Sequence, residues 1–184
     1  IGFILVATGW GTPLALTAAV ALTFNHSLIK SGMLMLAGAM ASRAPVKTAS
    51  FAVLTGLGKA APFAGALFLL GGLGLAGVPP VNGFVGKLVL FRSGIEAAEY
   101  VALAALGLAS ILTLLYVIRA FQLIWWQPAA EGVKAKAGDR LLAPALLIGL
   151  CIILGLWPEP LLALSSGVAQ GLTAPGDYIA AIMG

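Results

Sequence analysis

Long apolar runs alternate with short clusters of charge, glycine and proline along this chain. A bilayer core about 30 Å thick needs about 20 apolar residues in a helix, and the sequence divides on that ruler. Residues 1–8 read as the end of one helix, closed by Gly9-Trp10-Gly11-Thr12-Pro13. Residues 14–42 form a long span, and Pro13 suits its first turn because the missing N–H is not needed there. A polar connection over 43–61 carries Arg43, Lys47 and Lys59. The run 63–92 is apolar but interrupted over 77–83, and 101–126 is a further span ending in Trp125 and Trp126, read with Trp157 as interfacial anchors. A charged loop over 127–140 precedes the last span, 141–157, and a tail over 158–184. Within the tail, 161–172 suits either an interfacial helix or a contact with a neighbour. The pattern predicts one membrane domain over 1–184, an all-α polytopic bundle with one discontinuous helix.

Composition narrows the class. Of 184 residues 61% are apolar and 9% charged, against about 45–50% and about 25% in soluble domains. Mean hydropathy is +1.08. Disorder needs the opposite balance, and Cys151 has no second cysteine to pair with. The net charge of +4 forms no basic stripe with interleaved aromatics, so nucleic acid is not an expected partner. The chain opens inside an apolar run with no basic region ahead of it, unlike a signal peptide, and reads as the C-terminal part of a larger protein.

The charges also predict an orientation. Loop 43–61 holds three basic residues, and loop 127–140 holds Lys134, Lys136 and Arg140, with Arg119 close by. Two spans separate these loops, so both face one side. The other side has Arg92 beside Glu96 and Glu99, and a tail with Glu159 and Asp177. Cytoplasmic loops collect Lys and Arg, which predicts cytoplasmic 43–61 and 127–140 and an external C-terminus. Of the sixteen charges (10 basic, 6 acidic), fourteen lie in loops, at or near span ends or in the tail, and Lys30 and Lys87 are the two left deep inside the predicted spans.

The run 63–92 would be about 45 Å long as one straight helix. Pro79 and Pro80 obstruct a continuous helix, and Gly77 and Gly83 permit unusual dihedrals. Two half-helices are predicted, about 63–78 and 84–92. Broken backbone at membrane depth is tolerated inside protein or beside water, and in transporters it often marks the ion path. Lys87 falls near the start of the second half-helix. Desolvation and the positive end of that helix dipole both oppose a fixed charge there, which suits a group that loads and releases a proton. The alternative is a lysine that snorkels to the interface, a position Arg92 fills better.

A second polar group lies in the long span. Thr23, His26, Ser27 and Lys30 follow i, i+3, i+4, i+7 and share a face, with Asn25 beside them. His26 and Lys30 are one turn apart, close enough to pass a proton directly or through one water. An embedded charge costs at least about 2.5–3.5 kcal/mol, which argues for a role. A neutral histidine bonded to a backbone carbonyl is the alternative for His26. No second histidine or carboxylate lies nearby in sequence, so neither a metal site nor a cofactor is expected.

Other motif matches lack their context. Gly72-Leu73-Gly74-Leu75-Ala76-Gly77 fits G-x-G-x-x-G, but a membrane run precedes it and Pro79-Pro80 follows. Close packing of helices through small residues explains it better than dinucleotide binding. Gly58-Lys59 and Gly86-Lys87 lack the remaining residues of a phosphate loop. No serine, histidine and acid arrangement offers nucleophilic catalysis, so an enzyme is not expected.

Two motifs carry a family resemblance. Asn25-His26-Ser27-Leu28-Ile29-Lys30 resembles the H-x-x-x-K helix of antiporter-like subunits, and the run Gly77-Val78-Pro79-Pro80-Val81-Asn82-Gly83-Phe84-Val85-Gly86-Lys87 resembles their broken-helix signature. That group comprises the Mrp-type multisubunit cation/proton antiporter subunits and the proton-pumping membrane subunits of respiratory complex I. The lysine at 87 and the tail Pro175-Gly176-Asp177-Tyr178-Ile179-Ala180 are most similar to Mrp subunits of the D type. The resemblance implies the C-terminal part of a fourteen-helix, antiporter-like fold in a prokaryotic inner (plasma) membrane, within a hetero-oligomer of membrane subunits. It implies proton movement by Lys87, His26 and Lys30; the residues themselves add Thr23, Asn25 and Ser27 as a supporting polar stripe and Gly77, Pro79, Pro80, Gly83 and Gly86 as the break. All six carboxylates lie outside the predicted spans, so any Na⁺ is expected to bind elsewhere in the protein or its partners. The rival readings are a pump subunit of a complex I or hydrogenase type assembly, and a purely structural membrane subunit.

Overall fold

The computed structural model describes residues 1–46, 48, 50–128, 136–174 and 176–183. Lys47, Glu131, Lys134 and Pro175, used above for charge and motif, lie outside the described residues. Those described form an all-helical bundle without strands. Helix α1 (Gly2–Trp10) ends on Gly11, whose φ of 66° is left-handed. Helix α2 (Pro13–Ala41) starts as its sequence dictates: Thr12 accepts from the Ala15 N–H at 3.1 Å and Pro13 takes the first position. It forms the centre, packing against α1, α4 (Pro62–Ala76), α5 (Asn82–Glu96), α7 (Leu142–Leu156) and α8 (Glu159–Thr173).

Close approach depends on small residues. A Cβ at Gly71 would strike Met33, one at Gly72 would strike Val117, and one at Gly74 would meet Val81 at 2.8 Å and Ile29 at 3.1 Å. The G-x-G-x-x-G match thus serves helix packing. Helix α6 (Tyr100–Phe121) continues through a wider π-turn, Gln122–Trp126, closed by Gln127 N–H to Gln122 O at 3.1 Å. Among the described residues, Tyr100–Trp126 is the one helix long and apolar enough to cross a membrane unaided. Helices α7 and α8 would pass as a pair but are bent by 84° between them.

Several elements differ from the sequence pattern. The connection 43–61 is more than a polar loop: it folds into α3 (Phe51–Leu54) and a 3₁₀ turn, Leu57–Ala60, which bury Leu54 and Leu57. Trp125 is no interfacial anchor. It is 6% exposed, stacked on Phe121 at 5.3 Å and donating to Ala61 O at 3.2 Å, because the π-turn shifts the helical phase and rotates it inward. Trp126 and Trp157 are exposed. In the tail, α8 packs on α2 through Leu161, Ser165 and Ala169, and α9 (Gly176–Met183) follows. The second half-helix runs on to Glu96, where Arg92 and Glu96 pair one turn apart at 3.0 Å.

At one end of the bundle the two basic loops are tied together. Asp139 N–H donates to Ser42 Oγ at 2.9 Å, Lys136 N–H to Arg43 O at 2.9 Å, and Arg43 Nη2 to Asp139 O at 3.0 Å.

Candidate functional site

The break between α4 and α5 builds the site. Helix α4 ends at Gly77, whose φ of 79° is left-handed and whose N–H, like that of Val78, bonds back to Leu73 O at 2.9 Å. The carbonyls of Leu75 and Ala76 have no partner within the helix, the usual position of a C-terminus. The Lys87 side chain supplies one. Its Nζ donates to Ala76 O at 2.6 Å, to Leu75 O at 3.3 Å and to Ser110 Oγ of α6 at 3.0 Å. The Phe3 ring of α1 covers it, with the centroid 4.3 Å away. Lys87 is 9% exposed, so it does not snorkel. It lies in the second turn of α5, and the helix end it meets is the negative terminus of α4, not the positive start of α5. The sequence offered the second of these dipoles and carried no sign of the first.

Glycines shape the surroundings. A side chain at Gly77 would overlap the Lys87 stem, one at Gly83 would strike Gly74 O and meet Asn25 Nδ2 at 3.0 Å, and one at Gly86 would meet Leu22 at 2.9 Å. Across the break, Gly155 of α7 lies against the backbone of Pro80, Val81 and Asn82. Pro79 and Pro80 themselves are exposed.

Lys87 opens onto a cavity of about 200 Å³ between α1, α2, α4 and α6. Asn25, His26 and Lys30 line it from α2, and Thr113 and Tyr116 from α6. A void of that size, with polar groups on part of its wall, has room for several waters. Asn25 is buried, and its Oδ1 has no protein partner among the described residues. Asn82 is fully buried, and neither of its side-chain polar atoms has a partner among the described residues.

Helix α2 thus brings three of the proposed polar residues to Lys87. Thr23 and Ser27 are not among them: they line a separate, mostly apolar groove with Leu16, Phe24 and Leu172, and their hydroxyls bond to Ala19 O and Thr23 O. Ser110, Thr113 and Tyr116 were not anticipated. Their spacing of three residues makes a polar stripe in an otherwise apolar span, and that signal was available in the sequence. Among the described residues no group of three or more His, Cys, Asp or Glu is placed to hold a metal.

The sequence comparison decides the affiliation. Residues 1–113 match the model of the NADH:quinone oxidoreductase/Mrp antiporter transmembrane family. The chain belongs to this family. It is 32% identical to the D-type subunit of the Na(+)/H(+) antiporter from Bacillus subtilis, over 100% of its own length and 37% of that protein's. It therefore spans little more than a third of that relative. Among solved structures, the Mrp complex from Dietzia sp. DQ12-45-1b shares the fold at a TM-score of 0.84 and 24% identity, covering 100% of this chain and 42% of that one. Respiratory complex I from Thermus thermophilus matches at a TM-score of 0.75 and 26% identity, over 92% of this chain and 36% of that one. The fold of this chain is thus shared with both an Mrp complex and a respiratory complex I.

Proposed function

We propose that this chain is the C-terminal, proton-carrying part of a multisubunit cation/proton antiporter subunit, and that protons pass between His26/Lys30 and Lys87. The observation that carries the reading is the shared, partly polar cavity onto which all three side chains open. Histidine can accept at one nitrogen and donate at the other, and the lysines alternate between ammonium and amine. Waters in the cavity would bridge the gap between α2 and α5. Coupled Na⁺ binds in the rest of the protein or in its partner membrane subunits. Residues 1–184 serve as one membrane domain, spanning over 14–42, 63–92, 101–126 and 141–157. Loops 43–61 and 127–140 face the cytoplasm and the C-terminus faces outward, a reading supported by the hydrogen bonds that join Ser42 and Arg43 to Lys136 and Asp139. A pump subunit of complex I type would use the same cavity, and the likeness to the Thermus complex favours that second reading.

The test replaces Lys87 and, separately, Lys30 by Met in the full-length protein within its complex, with transport expressed per assembled complex. A fall of about 10²-fold or more is expected, the scale of a positioned proton-transfer group. Reduced assembly with undiminished transport by the complexes that do form would instead make these lysines structural.

A further inference from the structure

Resting on the relay reading above, we propose that the Ser110 hydroxyl is a positioning residue for Lys87, holding its side chain at the helix break in both protonation states.

Among the described residues four groups contact the Lys87 nitrogen: the carbonyls of Leu75 and Ala76, the Phe3 ring and Ser110 Oγ. Three of these cannot donate to the nitrogen. A carbonyl oxygen accepts and cannot donate, and the face of an aromatic ring attracts positive charge. While Lys87 is an ammonium, its three N–H bonds match three acceptors, Leu75 O, Ala76 O and Ser110 Oγ. The proton released is the one directed at Ser110: that N–H bond breaks, a water in the cavity takes the proton as hydronium, and the electron pair stays on Nζ facing the hydroxyl. The neutral amine keeps two N–H bonds for the two carbonyls, and its new lone pair needs a donor. Ser110 is the one contact that can reverse: at 3.0 Å its O–H turns to donate to Nζ without the side chain moving. No bond of the serine is broken. On reprotonation the hydroxyl turns back and accepts again.

The other cavity groups do not take this part. His26 and Lys30 belong to α2 and Tyr116 to α6, and none is bonded to Lys87 among the described residues. Helices α1 and α4 carry no titratable side chain. Cys151, from α7, lies in the separate apolar core around Ile29 and Ile148. Thr113, also on the cavity wall, donates its hydroxyl to Ala109 O at 2.7 Å.

The experiment compares Ser110→Thr, Ser110→Val and Ser110→Ala in the full-length protein within its complex, measuring transport per assembled complex. Thr and Val have nearly the same shape, so their difference isolates the hydroxyl from crowding. Expected is near-normal transport with Thr and a loss of about tenfold or more with Val and Ala, the scale of a hydrogen bond to a charged group. Equal transport by Thr and Val overturns the proposal, whether both are active or both impaired. Loss of assembly in Val and Ala with Thr intact also overturns it, because the hydroxyl would then serve the fold. Transport that survives Lys87→Met refutes the relay itself. Transport abolished by Lys87→Met but unaffected by Ser110→Val refutes this inference alone.

Discussion

Gly155→Ala should damage the helix break from the far side, although Gly155 lies on α7 and in no recognised motif. A Cβ there would strike Pro80 O and come within 2.6 Å of Asn82 N and Val81 C. All three are backbone atoms, so no side-chain rotation relieves the overlap and either α7 or the segment 80–82 must move. Overpacking of this kind costs about 1–3 kcal/mol. Alanine also recovers up to about 1 kcal/mol of helix propensity over glycine, which would hide part of the loss. Gly149→Ala in the same helix is the control, because its Cβ meets nothing within 4 Å. Propensity contributes to both variants, less at Gly155 near the helix end, so the gap between them reports the steric cost. That gap should be at least about 1 kcal/mol, or about 2–4 °C in midpoint for each kcal/mol in a domain of this size. Thermal inactivation of the solubilised complex, followed by loss of assembly, measures it. Gly149→Ala should be neutral or slightly stabilising. Equal midpoints for the two variants would refute the close contact between α7 and the break.

Two further changes probe what holds the bundle together. Thr12→Ala removes the N-cap of α2 and its 3.1 Å contact with Ser93 Oγ, and should cost about 1 kcal/mol in the same thermal assay. Trp125→Ala empties the space between Phe68, Phe121 and the Gly58 and Gly65 backbones; a loss of about 3–5 kcal/mol is expected, read as failed assembly, whereas an interfacial anchor would lose far less.

Much of this was written in the sequence. Apolar runs punctuated by proline and glycine placed α2, α6 and α7, and the Gly77 to Gly83 segment placed the break, because those signals are local. What depended on the helical phase was less secure. The i, i+3, i+4 rule grouped Thr23, His26, Ser27 and Lys30, yet it identifies an arc, not a single line. His26 and Lys30 lie on the flank that faces the cavity, while Thr23 and Ser27 lie on the flank that faces α1 and α8. Asn25, outside that spacing, reaches the cavity from the other edge of the flank. Trp125 failed for a related reason: one π-turn changes the register, and nothing in apolar periodicity announces it. The partners of Lys87 were beyond local reasoning altogether, since they come from α1, α4 and α6.

The position of Lys87 joins two requirements that are usually met by different groups. A half-helix ending at membrane depth leaves carbonyls that water would otherwise have to satisfy. Here the Lys87 ammonium bonds to two of them, at Leu75 and Ala76. The group proposed to carry the proton is therefore also the cap that terminates α4. Removing the side chain strips both carbonyls of their donor, whereas removing only the proton leaves two N–H bonds for two carbonyls. The break can thus stay satisfied through a full cycle of loading and release, provided that the lone pair exposed on Nζ finds a donor. A glutamine or methionine at 87 cannot cycle in this way, and methionine cannot cap at all. Assembly and transport should accordingly separate across substitutions at this one position: Lys87→Gln retaining more assembly than Lys87→Met, and neither retaining transport.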